Sequence, residues 1–135
     1  MDWRLEQIVV PVADVDRAKA FYEGAGFHVD VDHSAGDDFR VVQLSPPGSA
    51  CSIALMKNEA AAGSLQGLHL VVRDIDVALS QLREAGVASS GLFHFVEGVQ
   101  TDGPGPQRTG YETFLSFSDP DGNGWLVQEV PSRPS

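Results

Sequence analysis

Few side chains in this chain have types and positions suited to chemistry, and His69 leads them. It stands in LHLVV and on an extended strand points opposite to Leu68, Leu70 and Val72. An imidazole there can act as a general base or hydrogen-bond a ligand, because it titrates near neutrality. The plainer alternative is a histidine satisfied by a neighbouring strand side chain. His94 and Glu97 lie three residues apart at the entry to a glycine-rich segment. They read either as an acid–base pair or as the solvated mouth of a loop. Tyr111, at the end of that segment, either offers its hydroxyl to a ligand or packs at an interface. Gln7 and Gln128 sit on predicted strands, where an amide on an inner face must find a partner. Cys51 alternates with Ile53 and Leu55 and reads as a buried hydrophobe with no base to activate it. Trp125 reads as core on a helix-facing side, and Arg40, His28 and His33 as surface residues.

The elements that position these residues come in two copies. LEQIVVPVADVDRAKAFYEGAGF, from Leu5 to Phe27, returns sixty residues later as LQGLHLVVRDIDVALSQLREAGV, from Leu65 to Val87. Without a gap, Val12 meets Val72, Asp14 meets Asp74, Ala18 meets Ala78, and Ala25-Gly26 meets Ala85-Gly86. A fixed-period repeat of this kind governs the fold. In each copy an alternating strand runs into an Asp N-cap and an apolar stripe at helical spacing, and a glycine ends the helix. Strands are then predicted over Phe27–Val31, Phe39–Leu44 and Ala50–Met56, and after the repeat over Val87–Phe95, Glu112–Ser118 and Gly124–Val130. HSAGDD and SPPGS are turns of the first copy, and DPDGN joins the last two strands. Gly98–Gly110 reads as an aperiodic Gly/Pro loop, a mobile lid in expectation, and the tail PSRPS as disordered.

Each copy is therefore a βαβββ module, residues 1–60 and 61–135, with a linker in KNEAAAGS between them. The expected fold is α+β: two βαβββ modules related by a pseudo-twofold, forming a curved eight-stranded sheet cup with two packed helices. One helix cannot cover both faces of its antiparallel sheet, so the other faces become the cup wall, the usual setting for a small ligand. Strand parity lines that cup with Gln7, Val9, Ser52, Ala54, Gly67, His69, Leu126 and Gln128, with His94 at its edge.

The totals narrow the classes. At 135 residues with 42% apolar content the chain can bury a real core. A net charge of −10 argues against nucleic acid. No apolar run is long enough for a membrane span, the opening MDWRLEQ carries no signal-type segment, and one cysteine allows no intrachain disulfide. A cytoplasmic protein is expected.

VADVDRAKAFYEGAGF, VRDIDVALSQLREAGV and FSDPDGNGWLVQEV together resemble the vicinal oxygen chelate superfamily, which includes glyoxalase I, bleomycin-resistance proteins, extradiol dioxygenases and fosfomycin-resistance enzymes. The resemblance covers nearly the whole chain and is nearest to small glyoxalase-like proteins. It implies four metal-ligand positions, drawn from His, Glu and Gln in the family's metal-using members. They fall here on Gln7, Gly67, Leu126 and Ser52, or Ala54 if the strand slips. Only Gln7 is an accepted ligand type, and His69 and Gln128 two steps along would complete only a weak, uncharged set. No cofactor is therefore expected, a divalent metal being the alternative.

Three function classes follow. The first is a metal-free protein binding a small organic molecule, as the bleomycin-resistance branch does. The second is a metal-independent isomerase, lyase or hydrolase using His69 with Glu97 or Tyr111. The third is a glyoxalase- or dioxygenase-type metalloenzyme with an atypical site. A homodimer is expected in each case, to cover sheet edges and cup rims.

Overall fold

A computed structural model describes residues 2–106 and 111–131. The elements run β1 (Gln7–Val12), α1 (Val15–Gly24), β2 (His28–Ala35), β3 (Phe39–Ser45), β4 (Ser52–Lys57), β5 (Leu68–Val72), α2 (Ile75–Glu84), β6 (Phe93–Val96), β7 (Val99–Asp102), β8 (Phe114–Ser118) and β9 (Gly124–Glu129). They form two sheets, β1-β4-β3-β2 and β5-β9-β8-β6-β7. The chain divides into two compact units: Met1–Leu65 with Asp119–Asn123, and Gln66–Ser118 with Gly124–Ser135. The tail PSRPS begins at Pro131, and its last four residues, like 107–110 of the predicted lid, lie outside the described residues.

The repeat reappears as matched hydrogen bonds. Asp14 and Asp74 cap their helices by accepting from backbone N–H groups of the first turn. The Ala25 N–H donates to Phe21 O at 3.0 Å, and sixty residues on the Ala85 N–H donates to Gln81 O at 3.0 Å. Phe27 closes on Tyr22 O and Val87 on Leu82 O, both at 2.9 Å. In the first unit the helix-side face of the sheet buries Val10, Val12, Val42, Leu44, Ile53 and Leu55. In the second, Leu68, Leu115, Phe117, Trp125 and Val127 are buried, with Phe117 and Trp125 stacked at 5.9 Å and 3°. Trp125 is thus core, as its alternation with Leu126 predicts.

Two sequence expectations change. The sheets are mixed and not wholly antiparallel: β1 runs parallel to β4, and β5 to β9. A helix returning the chain over the sheet makes this crossover possible. Among the described residues there are nine strands and not eight, because the segment read as a loop from Gly98 contains β7, paired with β6 across the whole of Val99–Asp102. The turn that joins them is Glu97-Gly98, with φ of 49° and 80°. Both central residues at positive φ are what a tight two-residue hairpin needs.

The turn Asp119–Asn123 belongs to the first unit through a polar network. Tyr22 Oη donates to Asp119 Oδ2 at 2.8 Å, and Asn123 Nδ2 donates to Asp119 Oδ2 and to Pro11 O, both at 2.9 Å. Leu65 N–H donates to Asn123 Oδ1 at 3.1 Å. Asp121 accepts from Ala13 N–H at 3.3 Å and pairs with Arg17 at 3.0 Å, close to the positive end of α1.

A second polar cluster ties β2 and β3 to α1. Asp32 accepts from Arg40 Nε and Nη2 at 3.0 and 2.9 Å and from Lys19 Nζ at 2.9 Å, while Arg40 also reaches Asp16. Arg40, read from sequence as a surface residue, is the hub of this network. Hydrogen bonds from Arg40 and then Lys19 hold the Asp32 carboxyl well below the ordinary carboxylate range. A carboxyl depressed in the folded state stabilises fully above its unfolded value, about 3.9, and loses that stabilisation as pH falls through the folded value. Asp32→Asn should therefore cost about 1 kcal/mol at pH 7. The gap to wild type should close in strong acid, as read by urea titrations at the two pH values. A constant gap would show that packing, not charge, is lost.

Candidate ligand site

Parity places two polar faces away from the helices, one in each unit. In the first unit the row is Gln7, Ser52, Ser45 and His28, because Gln7 pairs with Ser52 and His28 with Ser45. Ser52 Oγ lies 3.2 Å from Ser45 Oγ, and Ser45 donates to Asp30, which a register shift between Val29 and Val31 brings to the row. Bulges re-aim side chains in this way. Ser45 has one hydroxyl hydrogen and gives it to Asp30, so the contact between the serines runs from Ser52 to Ser45. On the same face Val9 is 49% exposed, whereas Ala54, its register partner, is fully buried, so its short methyl offers a ligand no surface.

The second unit holds a cavity of about 550 Å³. Its floor is small: Gly67, Gly124, Ser116 and Ser118, beside Leu126. Its walls include Phe93, Phe95, Gln66, Gln100 and Ser90. Phe93 and Phe95 meet edge to face at 5.8 Å and 89°, Phe93 stacks on Phe114 at 5.9 Å and 18°, and Phe95 meets Phe114 at 5.4 Å and 71°. These phenylalanines, with Gln100, Ser90 and Ser116, were not picked out from sequence. The alternation FHFV, a Glu-Gly turn and VQTD are the hairpin signal that could have found them.

His69 is not itself part of the cavity lining but adjoins it on the same sheet face, paired in register with Leu126 and two residues beyond Gly67, both of which line the cavity. Its Nε2 is 2.9 Å from Gln128 Oε1, and Gln128 Nε2 donates to Tyr111 O at 2.8 Å. Three expected site residues are thus brought together, although Tyr111 contributes its carbonyl and its side chain is exposed. His94 and Glu97 are not joined by any hydrogen bond among the described residues. His94 Nδ1 meets Gly103 O at 2.8 Å, and Glu97 is at the hairpin turn.

A metal was the alternative for this fold. The four implied positions supply an amide (Gln7), a hydroxyl (Ser52), no side chain (Gly67) and an alkyl group (Leu126). Among the described residues no three His, Cys, Asp or Glu side chains gather to hold a cation. That donor set does not fit a divalent metal, which needs imidazole, carboxylate or thiolate donors.

Two helix-backed mixed sheets, one with a cavity on the side away from its helix, define an α+β protein of the paired-module, glyoxalase-type class. Residues 4–127 match the family model of the Glyoxalase/Bleomycin resistance protein/Dioxygenase superfamily, and the chain belongs to that superfamily. Among solved structures it is similar to TnmS3, an antibiotic binding protein from Streptomyces sp. CB03234, at 32% identity and a TM-score of 0.73, covering 96% of this chain and 97% of that one. It is also similar to a glyoxalase/bleomycin resistance protein from the same Streptomyces, at 33% identity and a TM-score of 0.67, covering 93% and 100%. The uncharacterised protein YetH of Bacillus subtilis (strain 168) is 26% identical over 126 residues, 90% of this chain and 94% of YetH. No helix among the described residues is long and apolar enough to cross a membrane.

Proposed function

We propose that this protein binds a small organic molecule, without a metal, on the open sheet face of its second unit. The observation that carries this reading is the cavity of about 550 Å³, with aromatic walls, a floor of glycine and serine, and polar groups at its edge. That balance of apolar wall and few directional groups is the usual one for a ligand pocket. The similarity to TnmS3, described as an antibiotic binding protein, supports it. On this reading the modules are residues 1–60 and 61–135, and the protein works as a cytoplasmic homodimer.

A second reading, a metal-independent isomerase or lyase, rests on His69, whose ring is oriented by Gln128 at 2.9 Å and is placed to move a proton. His69→Ala separates the two. Under the binding reading it weakens ligand affinity severalfold, by about 0.5–1.5 kcal/mol. Under the enzyme reading it abolishes turnover of a bound compound. Metal analysis of protein purified without supplementation tests the metal-free part. Stoichiometric zinc, nickel or iron, with binding lost on chelation, would overturn it.

A further inference from the structure

We infer that the second unit's pocket selects a planar aromatic ligand carrying a hydrogen-bond donor, such as a phenolic hydroxyl, which it reads with His69 Nδ1. The inference rests on the binding reading and names the chemical class for that site.

The donor requirement follows from the polarity of one hydrogen-bond chain. The Tyr111 carbonyl can only accept, so the Gln128 atom 2.8 Å from it is the amide nitrogen. The other end of that amide is then the carbonyl oxygen, and it faces His69 Nε2 at 2.9 Å. A carbonyl oxygen only accepts, so His69 Nε2 carries a hydrogen. In the neutral imidazole the remaining nitrogen, Nδ1, is therefore a bare acceptor. No hydrogen bond to Nδ1 is made among the described residues. A backbone carbonyl thus sets the tautomer of His69 through one amide, and Gln128 is a positioning residue. A ligand that offers only acceptors finds no complement at this nitrogen, whereas a hydroxyl does.

The aromatic requirement comes from the other side of the cavity. Phe93, Phe95 and Phe114 form a cluster with ring centroids 5.4–5.9 Å apart, and Phe95 is 48% exposed. An exposed ring edge or face in such a cluster gains from an added offset or edge-to-face partner. His69 is on β5 and Phe114 on β8, with β9 between them. At about 4.8 Å per strand that separation is on the order of 10 Å, the span of a fused ring system. Between them β9 presents Leu126 and Gln128, and the glycine and serine floor lies beside Leu126 and leaves room for the rest of such a ligand.

The test uses the full chain with 7-hydroxycoumarin and 7-methoxycoumarin, which share the ring system and differ in a methyl group that takes the place of the donor hydrogen. Affinities come from calorimetry, and folding of each variant is checked by thermal melting. Wild type should bind the hydroxy compound about three- to tenfold more tightly, the value of one hydrogen bond. His69→Phe, and His69→Leu as the second variant, neither of which offers an acceptor, should remove that preference. Phe95→Ala should weaken both compounds alike. Gln128→Leu should reduce the preference and change the imidazole ¹⁵N signature, which in wild type shows hydrogen on Nε2 and none on Nδ1. Equal binding of the two compounds, or a preference that survives both His69 variants, would overturn the inference and leave the binding reading standing. Saturable binding of aliphatic compounds with none of either coumarin would overturn the aromatic class. No binding of any small organic molecule would remove the reading and the inference together.

Discussion

Asn123→Ala is expected to destabilise the protein by about 3–5 kcal/mol. The side chain is fully buried and joins three parts of the first unit: its amide donates to Pro11 O and Asp119 Oδ2 and accepts from Leu65 N–H. Truncation removes three hydrogen bonds, each worth about 0.5–1.5 kcal/mol net. It also takes a partner from a backbone carbonyl and a backbone N–H, both part-buried, and stranding a fully buried group costs about 1–3 kcal/mol, an upper bound for each. Asp119, 5% exposed, would keep Tyr22 Oη and two backbone N–H groups but lose the amide. Against a total stability of about 5–15 kcal/mol this is a large fraction. Asn123→Asp is the informative partner substitution. It preserves shape but turns the donor to Pro11 into an acceptor and sets a second carboxylate against Asp119, so it should be no milder than alanine. Urea unfolding followed by circular dichroism measures both. A loss below about 1 kcal/mol for alanine would mean that the network does not hold the turn.

Gly63→Ala should be nearly as damaging, for a different reason. An added Cβ would lie 2.1 Å from the backbone oxygen of Asp121, and the residue has φ of +82°. The left-handed backbone alone costs a residue with a Cβ about 1–2 kcal/mol. The clash is with main chain held by the Asn123 and Asp119 network, so nothing can swing aside, and the total should reach about 3–4 kcal/mol. Two other glycines separate the contributions. Gly67 has a nearly equal φ of +80° with nothing within 4 Å, so Gly67→Ala reports the backbone cost alone. At Gly124 the Cβ would lie 2.0 Å from Gln66 Oε1, the movable end of a side chain, so Gly124→Ala should be milder than Gly63→Ala. If Gly63→Ala costs no more than Gly67→Ala in the same unfolding assay, the close approach to Asp121 contributes nothing.

These two sites show where reading the chain from sequence stopped. DPDGN was legible as a turn joining the last two strands, because Pro, Gly and Asn restrict the backbone locally. That its Asn123 and Asp119 side chains would be buried against Tyr22, Pro11 and Leu65 was not, since those partners lie up to 112 positions away. The Phe93–Phe95–Phe114 cluster shows the same boundary. FHFV alternates visibly, but without knowing that β6 pairs with β8 there was nothing to set Phe93 opposite Phe114.

By itself the sequence determined the sixty-residue repeat, the Asp14 and Asp74 caps, the buried faces of β1 and β5, and the placing of His69 opposite Leu68 and Leu70. All of these rest on interactions within a few residues or on the period-two alternation of a strand, which the chain carries wherever it folds. Only the tertiary structure decided that β1 lies parallel to β4 and β5 to β9, that Val99–Asp102 is a strand, and that Gln128 meets His69 and the Tyr111 carbonyl. Strand partners are chosen by burial summed over whole faces and by loop closure, quantities that no local stretch contains. The tautomer of His69 follows from one such choice: β9 beside β5 sets Gln128 within reach of the ring, and that contact leaves Nδ1 as the acceptor nitrogen of the neutral imidazole.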